Sequence, residues 1–205
     1  MTPPYELYTF PFACSFAVKL LLRLHDQPVT ERRVERGAAR RVATEALAAV
    51  NPKRKVPTLV DAEGAVHTEI VAVLHSLDTA LVPRTEAGRR AHLEWLCFVA
   101  TELHQQVLGP TFDPATPAVT IDDAGSRLLP PVLAQVEAAL AGDGRLSDEP
   151  LPSGAETYLF WALSLVRNRW PAAVATPSIR TFMAWMTTHD VVRHQLRAEA
   201  EALVA

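Results

Sequence analysis

Val56-Pro57 constrains this chain more than any other dipeptide. It stands between a basic turn, Asn51-Pro52-Lys53-Arg54-Lys55, and a short apolar run, Thr58-Leu59-Val60-Asp61. Proline cannot donate to a sheet ladder, so it belongs at a strand start, an edge or a turn. The apolar run therefore reads as a strand opening just after the proline. Residues 44–50 ahead of the turn read as helical. An X-Pro bond is also the one inexpensive place for a cis peptide. A cis bond here would turn the Val56 backbone outward, with its N–H and C=O free for a ligand. The trans form is the commoner state of X-Pro bonds in folded proteins.

The N-terminal part alternates strand and helix. Tyr5 to Phe10 is aromatic, β-prone and partly alternating, and Pro11 stops it. From about Cys14 to Leu24, Phe16, Leu20 and Leu24 keep helical spacing beside Ala17 and Leu21. Cys14 and Ser15 thus fall at a strand-to-helix turn. Free N–H groups and the helix dipole favour negative charge there, which would lower the thiol pKa. Phe10, Phe12 and Phe16 argue the other way, for a small, buried, inert cysteine whose pKa an apolar shell raises. Ser15 would cap the helix or donate to an anion.

Residues 29–34 carry Arg and Glu at most positions and make a poor strand by pattern. Arg36, Arg40 and Arg41 read as a solvated basic face. Ala62 to Ala65 is a turn, and Ala65-Val66-His67 returns as a short strand. Thr68, as N-cap, and Glu69, in the first turn, then open a helix running to about Leu77. Val82-Pro83-Arg84-Thr85-Glu86 is proline-marked and without period, so it reads as a linker.

Beyond the linker no strand pattern is convincing. Arg89 to Gly109 reads as one long helix, with Leu93, Leu96, Ala100, Leu103 and Val107 facing the core. Cys97, Thr101 and His104 lie at i, i+4 and i+7 on an adjacent polar stripe, as a cleft wall would. Residues 113–120 read as a loop and Arg127 to Ala141 as a second long helix with Leu128, Val132, Val136 and Leu140 on one face. Ser153-Gly154-Ala155-Glu156 has capping-box spacing ahead of a helix from Tyr158 to Trp170. Two further helices follow, Ile179 to His189 and Val191 to Leu203, and Trp161, Trp170, Trp185, Met183 and Met186 read as core.

The 205 residues suffice for one domain or two small ones sharing an interface. A net charge of -3 speaks against a nucleic-acid surface. No apolar run approaches the roughly 20 residues of a membrane helix, and the N-terminus lacks the pattern of a signal peptide. Cys14 and Cys97 read as cytosolic thiols rather than a disulfide. The seven histidines show no metal-ligand spacing, so no metal is expected.

Five stretches together resemble the cytosolic glutathione transferase superfamily. Asn51 to Leu59 is similar to its N-P-x-G-K-V-P-x-L signature, with Arg54 in the place of glycine. Leu7 to Ser15 resembles the bacterial beta-class start L-Y-Y-S-P-G-A-C-S, with Phe12 where that pattern has glycine. Thr68-Glu69-Ile70 resembles T-E-S, with Ile70 for serine. Ala100-Thr101-Glu102-Leu103-His104-Gln105 is close to A-T-E-L-H-K, and Ser153 to Glu156 to S/T-x-x-D.

The resemblance implies a thioredoxin-like α/β N-terminal domain over residues 1–80, a linker at 81–88 and an all-α domain over 89–205. It implies an edge strand near residue 30. It implies a cytoplasmic, homodimeric, bacterial detoxification enzyme that conjugates glutathione to small hydrophobic electrophiles. By the same resemblance Cys14, Ser15 and His104 surround the glutathione sulfur, and thiol-disulfide exchange through Cys14 is a further activity. Lys55, Val56, Pro57, Thr68, Glu69, Ile70, Cys97 and Thr101 would hold glutathione, with Val56 pairing its backbone and Glu69 anchoring the γ-glutamyl end. Cys97 stands where the class has asparagine, and Ala39 where it has lysine, with Arg40 as a substitute. These departures, with Ile70 and Arg54, keep a second reading open: a non-catalytic or redirected relative serving as a ligand-binding or interaction protein.

Overall fold

The computed structural model describes residues 5–35, 45–82, 84–113 and 115–204. The basic cluster Arg36, Arg40 and Arg41, together with Ala39 and Thr44, lies outside the described residues.

Four strands form one mixed sheet: β1 (Tyr5–Thr9), β2 (Val29–Arg33), β3 (Thr58–Val60) and β4 (Val66–Thr68), in the order β2-β1-β3-β4. β1 runs parallel to β2, with Leu7 opposite Glu31, and antiparallel to β3, with Leu7 opposite Leu59. β4 closes the far edge, with His67 opposite Leu59. β2 is the charged edge strand that the residue pattern alone did not suggest. Two of its charges are paired: Glu31 meets Lys19 at 2.8 Å and also Arg23, and Arg32 meets Glu6 at 3.0 Å. Charged side chains on an edge also discourage pairing with another chain.

Helix α1 (Ser15–Leu24) is buried on nearly every side, Phe16, Leu20, Leu21 and Leu22 being almost wholly enclosed. It packs on the sheet and also meets α3 (Ile70–Leu81), α6 (Gly154–Arg169) and α8 (Asp190–Val204). One apolar core therefore runs from Leu7 to Val192. α2 (Glu45–Val50) contributes Leu47 to a smaller cluster with Tyr8 and Val34. This is the thioredoxin-like α/β arrangement followed by helices, and among the described residues no strand follows Thr68. No helix among them is long and apolar enough to cross a membrane.

Several element bounds differ from the sequence reading. Thr68 ends β4, and the N-cap of α3 is Glu69, held at φ 68° without a side-chain cap bond. Helix α5 (Ala118–Ala139) starts nine residues before Arg127. Gly125, Pro130 and Pro131 look like breakers but sit inside it. Gly125 is required by proximity: a Cβ there would lie 2.5 Å from the Trp170 indole.

The expected long helix from Arg89 to Gly109 is not uniform. α4 (Glu86–Phe98) passes into a π-helical run, Val99–Leu108, and then a 3₁₀ turn, Gly109–Phe112. Leu96, Val99, Leu103 and Val107 are buried, whereas Leu93 is exposed and His92 takes the inner place. His92 packs against Gly154 at the start of α6.

The capping box predicted at Ser153 is formed. Ser153 Oγ accepts the Glu156 N–H at 3.2 Å, and Glu156 Oε2 accepts the Ser153 N–H at 2.8 Å. Asp78 accepts the Gly154 N–H at 2.9 Å, so acceptors from two parts of the chain satisfy this helix start. α7 (Pro177–Thr188) places Met183 and Met186 in the core, with Trp185 packed against it.

Candidate functional site

A cleft of about 530 Å³ opens between the β1–α1 turn, the Asn51–Pro57 turn, the start of α3, and the helical wall made by Ala100, His104, Phe112 and Tyr158.

The strand-side wall is built by local bonds. Asn51 is buried and its Nδ2 donates to Lys55 O at 3.1 Å and to Thr58 Oγ1 at 2.8 Å. Its Oδ1 accepts the Lys53 N–H at 3.0 Å. Val56-Pro57 is cis. The Val56 carbonyl lines the cleft and accepts the Cys14 thiol, with Sγ 3.5 Å away, so it is not free. Arg54 has φ 52°, where L side chains are disfavoured and glycine is not. That is a physical reason for a glycine at this place in the signature. Phe12, with φ 53°, stands in the same relation to the glycine of the beta-class start.

Cys14 caps the N-terminus of α1 and is buried at the cleft floor. Burial pushes its thiol up to about 12, although the backbone amides of Cys14 and Ser15 pull the other way. The helix N-terminus acts as expected but loses to desolvation. Cys14 is thus a neutral S–H donor in the free protein. Ser15 departs from its expected role. It is fully buried, makes no helix cap, and accepts the Phe10 N–H at 3.4 Å, away from the cleft lining.

His104 faces the cleft from the π-helical run. Its Nδ1 lies 2.6 Å from the Tyr158 hydroxyl, and its ring meets Trp161 edge-on at 4.6 Å. Burial drives its pKa down to about 4, so the imidazole is neutral near pH 7. Burial also raises the Tyr158 phenol, which keeps its proton. With the phenol O–H donating to Nδ1, the Nε2–H is the one donor this neutral imidazole has.

At the opposite end, Glu69 pairs with Lys53, whose Nζ is 2.5 Å from Oε1 and 3.0 Å from Thr68 Oγ1. The Lys53 hydrogen bond holds the Glu69 carboxyl below its usual value. Lys55, Thr68 and Ile70 line the same end, Ile70 as the first residue of α3.

Cys97 and Thr101 are not on the cleft wall. Both are exposed, and Thr101 Oγ1 donates to the Cys97 carbonyl at 3.1 Å. The i→i+5 spacing of the π run changes the phase of the face. Ala100, His104 and Gln105 line the cleft in their stead. Sequence reasoning missed Tyr158 and Lys53. The capping box located α6 but not which of its faces meets His104. Lys53 lay in the recognised turn without a signal for its direction.

Residues 13–80 match the family profile described as glutathione S-transferase, N-terminal domain. The chain is 32% identical over 211 residues to glutathione S-transferase GstA of Escherichia coli O157:H7, covering 95% of this chain and 98% of that protein. A sphingomonad glutathione S-transferase solved with glutathione is 28% identical, with a TM-score of 0.74 over 95% of this chain and 98% of that one. A beta-class glutathione S-transferase of Sphingomonas chungbukensis is 27% identical, with a TM-score of 0.76 over 95% and 98% of the two chains.

Proposed function

Because this chain belongs to the glutathione S-transferase family, we propose that it conjugates glutathione to small hydrophobic electrophiles, with the peptide lying along Val56. The observation that carries this reading is the convergence of two neutral donors, Cys14 S–H and the Tyr158-supported His104, on one cleft. Their task is to hold a glutathione thiolate by hydrogen bonding. The thiol proton leaves to solvent, the sulfur lone pair forms the new S–C bond, and the electron pair released passes to the electrophile or its leaving group. Cys14 gives up its bond to the Val56 carbonyl and donates to the glutathione sulfur. Glu69 receives the γ-glutamyl ammonium in place of Lys53. Phe112, Ala100 and Phe10 give the electrophile apolar contact.

Thiol-disulfide exchange through Cys14 makes a different demand on the site. It needs a thiolate at Cys14, and burial keeps that sulfur protonated near neutral pH. We further take residues 1–80 as the glutathione-binding unit, 81–88 as linker and 89–205 as the wall for the second substrate. The family resemblance supports a cytoplasmic homodimer, which light scattering of the purified chain tests.

The deciding experiment is glutathione calorimetry together with turnover of an activated aryl halide. Saturable binding with glutathione-dependent conjugation supports the proposal. Neither binding nor turnover would favour the redirected relative, for which the specific observation is Ile70: it gives the cleft an alkyl side chain where the resembling motif has a hydroxyl.

A further inference from the structure

The β1–α1 turn is held by side chains remote in sequence. Phe12 adopts φ 53°, which a bulky L residue reaches against a steric penalty. Its N–H donates to Glu199 Oε2 at 2.8 Å, and its C=O accepts the Trp161 Nε1–H at 2.8 Å. Glu199 belongs to α8 and is 4% exposed. Its other oxygen pairs with Lys19 and accepts Gln195 Nε2 at 3.1 Å. Lys19 is itself buried on α1 and reaches Glu31 at 2.8 Å. The clamped peptide lies two residues before Cys14, whose thiol is in the cleft, while Glu199 is not among the cleft-lining residues.

We infer that Glu199 is a positioning residue for the thiol site: through the Phe12 amide it fixes the turn that sets Cys14 Sγ in the cleft. The C-terminal helix is thereby coupled to a site it does not touch. The Phe12 side chain makes this necessary, since a glycine would take the same backbone shape without a clamp. The consequence for turnover rests on the transferase reading. The consequence for Cys14 does not.

The test separates the clamp from the charge. Glu199→Gln keeps an acceptor for the Phe12 amide but gives up the anion opposite Lys19. Glu199→Ala removes both. Iodoacetamide labelling of Cys14 in the full chain, read by peptide mass, reports the turn. Thermal midpoints report the charge. Both variants should lower the midpoint, yet only Glu199→Ala should speed Cys14 labelling, by about tenfold for one lost charge-assisted bond. Adding Phe12→Gly should bring that to about twofold. Equal labelling in the two variants, or no response to Phe12→Gly, overturns the inference. If Glu199→Ala does not fold, Lys19→Met with Glu199→Ala, compared with Lys19→Met alone, makes the same measurement without an unpaired buried ammonium. Glutathione calorimetry on the unmodified chain reports the transferase reading independently, so the two can fail separately.

Discussion

The two walls of the cleft are made by different physics. The strand-side wall, Asn51 to Pro57, is fixed by bonds within eight residues, chiefly from Asn51 to Lys53, Lys55 and Thr58. The helix-side wall, His104 and Phe112 with Tyr158 backed by Trp161, is assembled from segments more than forty residues apart by ring packing and one hydrogen bond. A locally bonded wall can be read and altered residue by residue. A packed wall depends on helix phase, so one substitution disturbs several groups at once.

The harshest test of that contrast is Trp161→Ala. It removes a fully enclosed side chain and should cost about 3–5 kcal/mol in urea unfolding, releasing His104 as well. On the strand side, Asn51→Ala should cost less, about 1–3 kcal/mol, because it takes the side-chain partner from the Lys53 N–H, the Lys55 carbonyl and the buried Thr58 hydroxyl without opening a large cavity. The Asn51–Pro57 turn should loosen, and glutathione calorimetry should show the loss while His104 keeps its low pKa by NMR.

Acid should attack the packed wall selectively. The His104 pKa is near 4 in the folded protein, against about 6.5 unfolded. Below about pH 6.5 the unfolded chain takes up a proton that folded His104 refuses. Stability should therefore be complete above that pH and fall towards pH 4, by up to about 1.4 kcal/mol per unit. Buried His92 on α4 has its pKa lowered to about 4 by burial and adds to the same window. Denaturant midpoints between pH 7 and 4 check the slope, and a flat profile would contradict a neutral buried His104.

The smaller effects sharpen the strand side. Ile70→Ser should raise glutathione affinity about tenfold or more, the worth of one hydrogen bond to a charged group, with little change in stability. Arg54→Gly relieves a left-handed backbone and should stabilise by about 1 kcal/mol at most, since glycine also loosens the unfolded chain.

The same contrast accounts for what was legible in the sequence. The Val56-Pro57 turn, β1, the Cys14 helix start and the Ser153 capping box depend on residues near one another in the chain, and each could be read there. His104 was found by its motif neighbours. Cys97 and Thr101 share its stripe only in an unbroken α period, which the π-helical run removes. Ser15 differs from its expected role because its hydroxyl turns back to the Phe10 amide rather than outward. Edge strand β2 was hidden because its charges answer Lys19, Arg23 and Glu6. Leu93, expected in the core, is exposed, and His92 lies inside, fitted against Gly154 and beside Asp78, contacts that no helical spacing announces.

The π-helical run from Val99 to Leu108 can also be understood as a shift of frame within one continuous rod. Upstream of it, α4 turns His92 and Leu96 inward; downstream, Leu103 and Val107 face the core and His104 faces the cleft. An ordinary α-helix advances about 100° per residue, so a one-residue deletion inside the run would swing everything after it by that angle. The indole and phenol around His104 would then meet a different side chain, with every residue of the A-T-E-L-H motif still present. The motif describes which residues are available; the widened turn decides which of them the cleft receives.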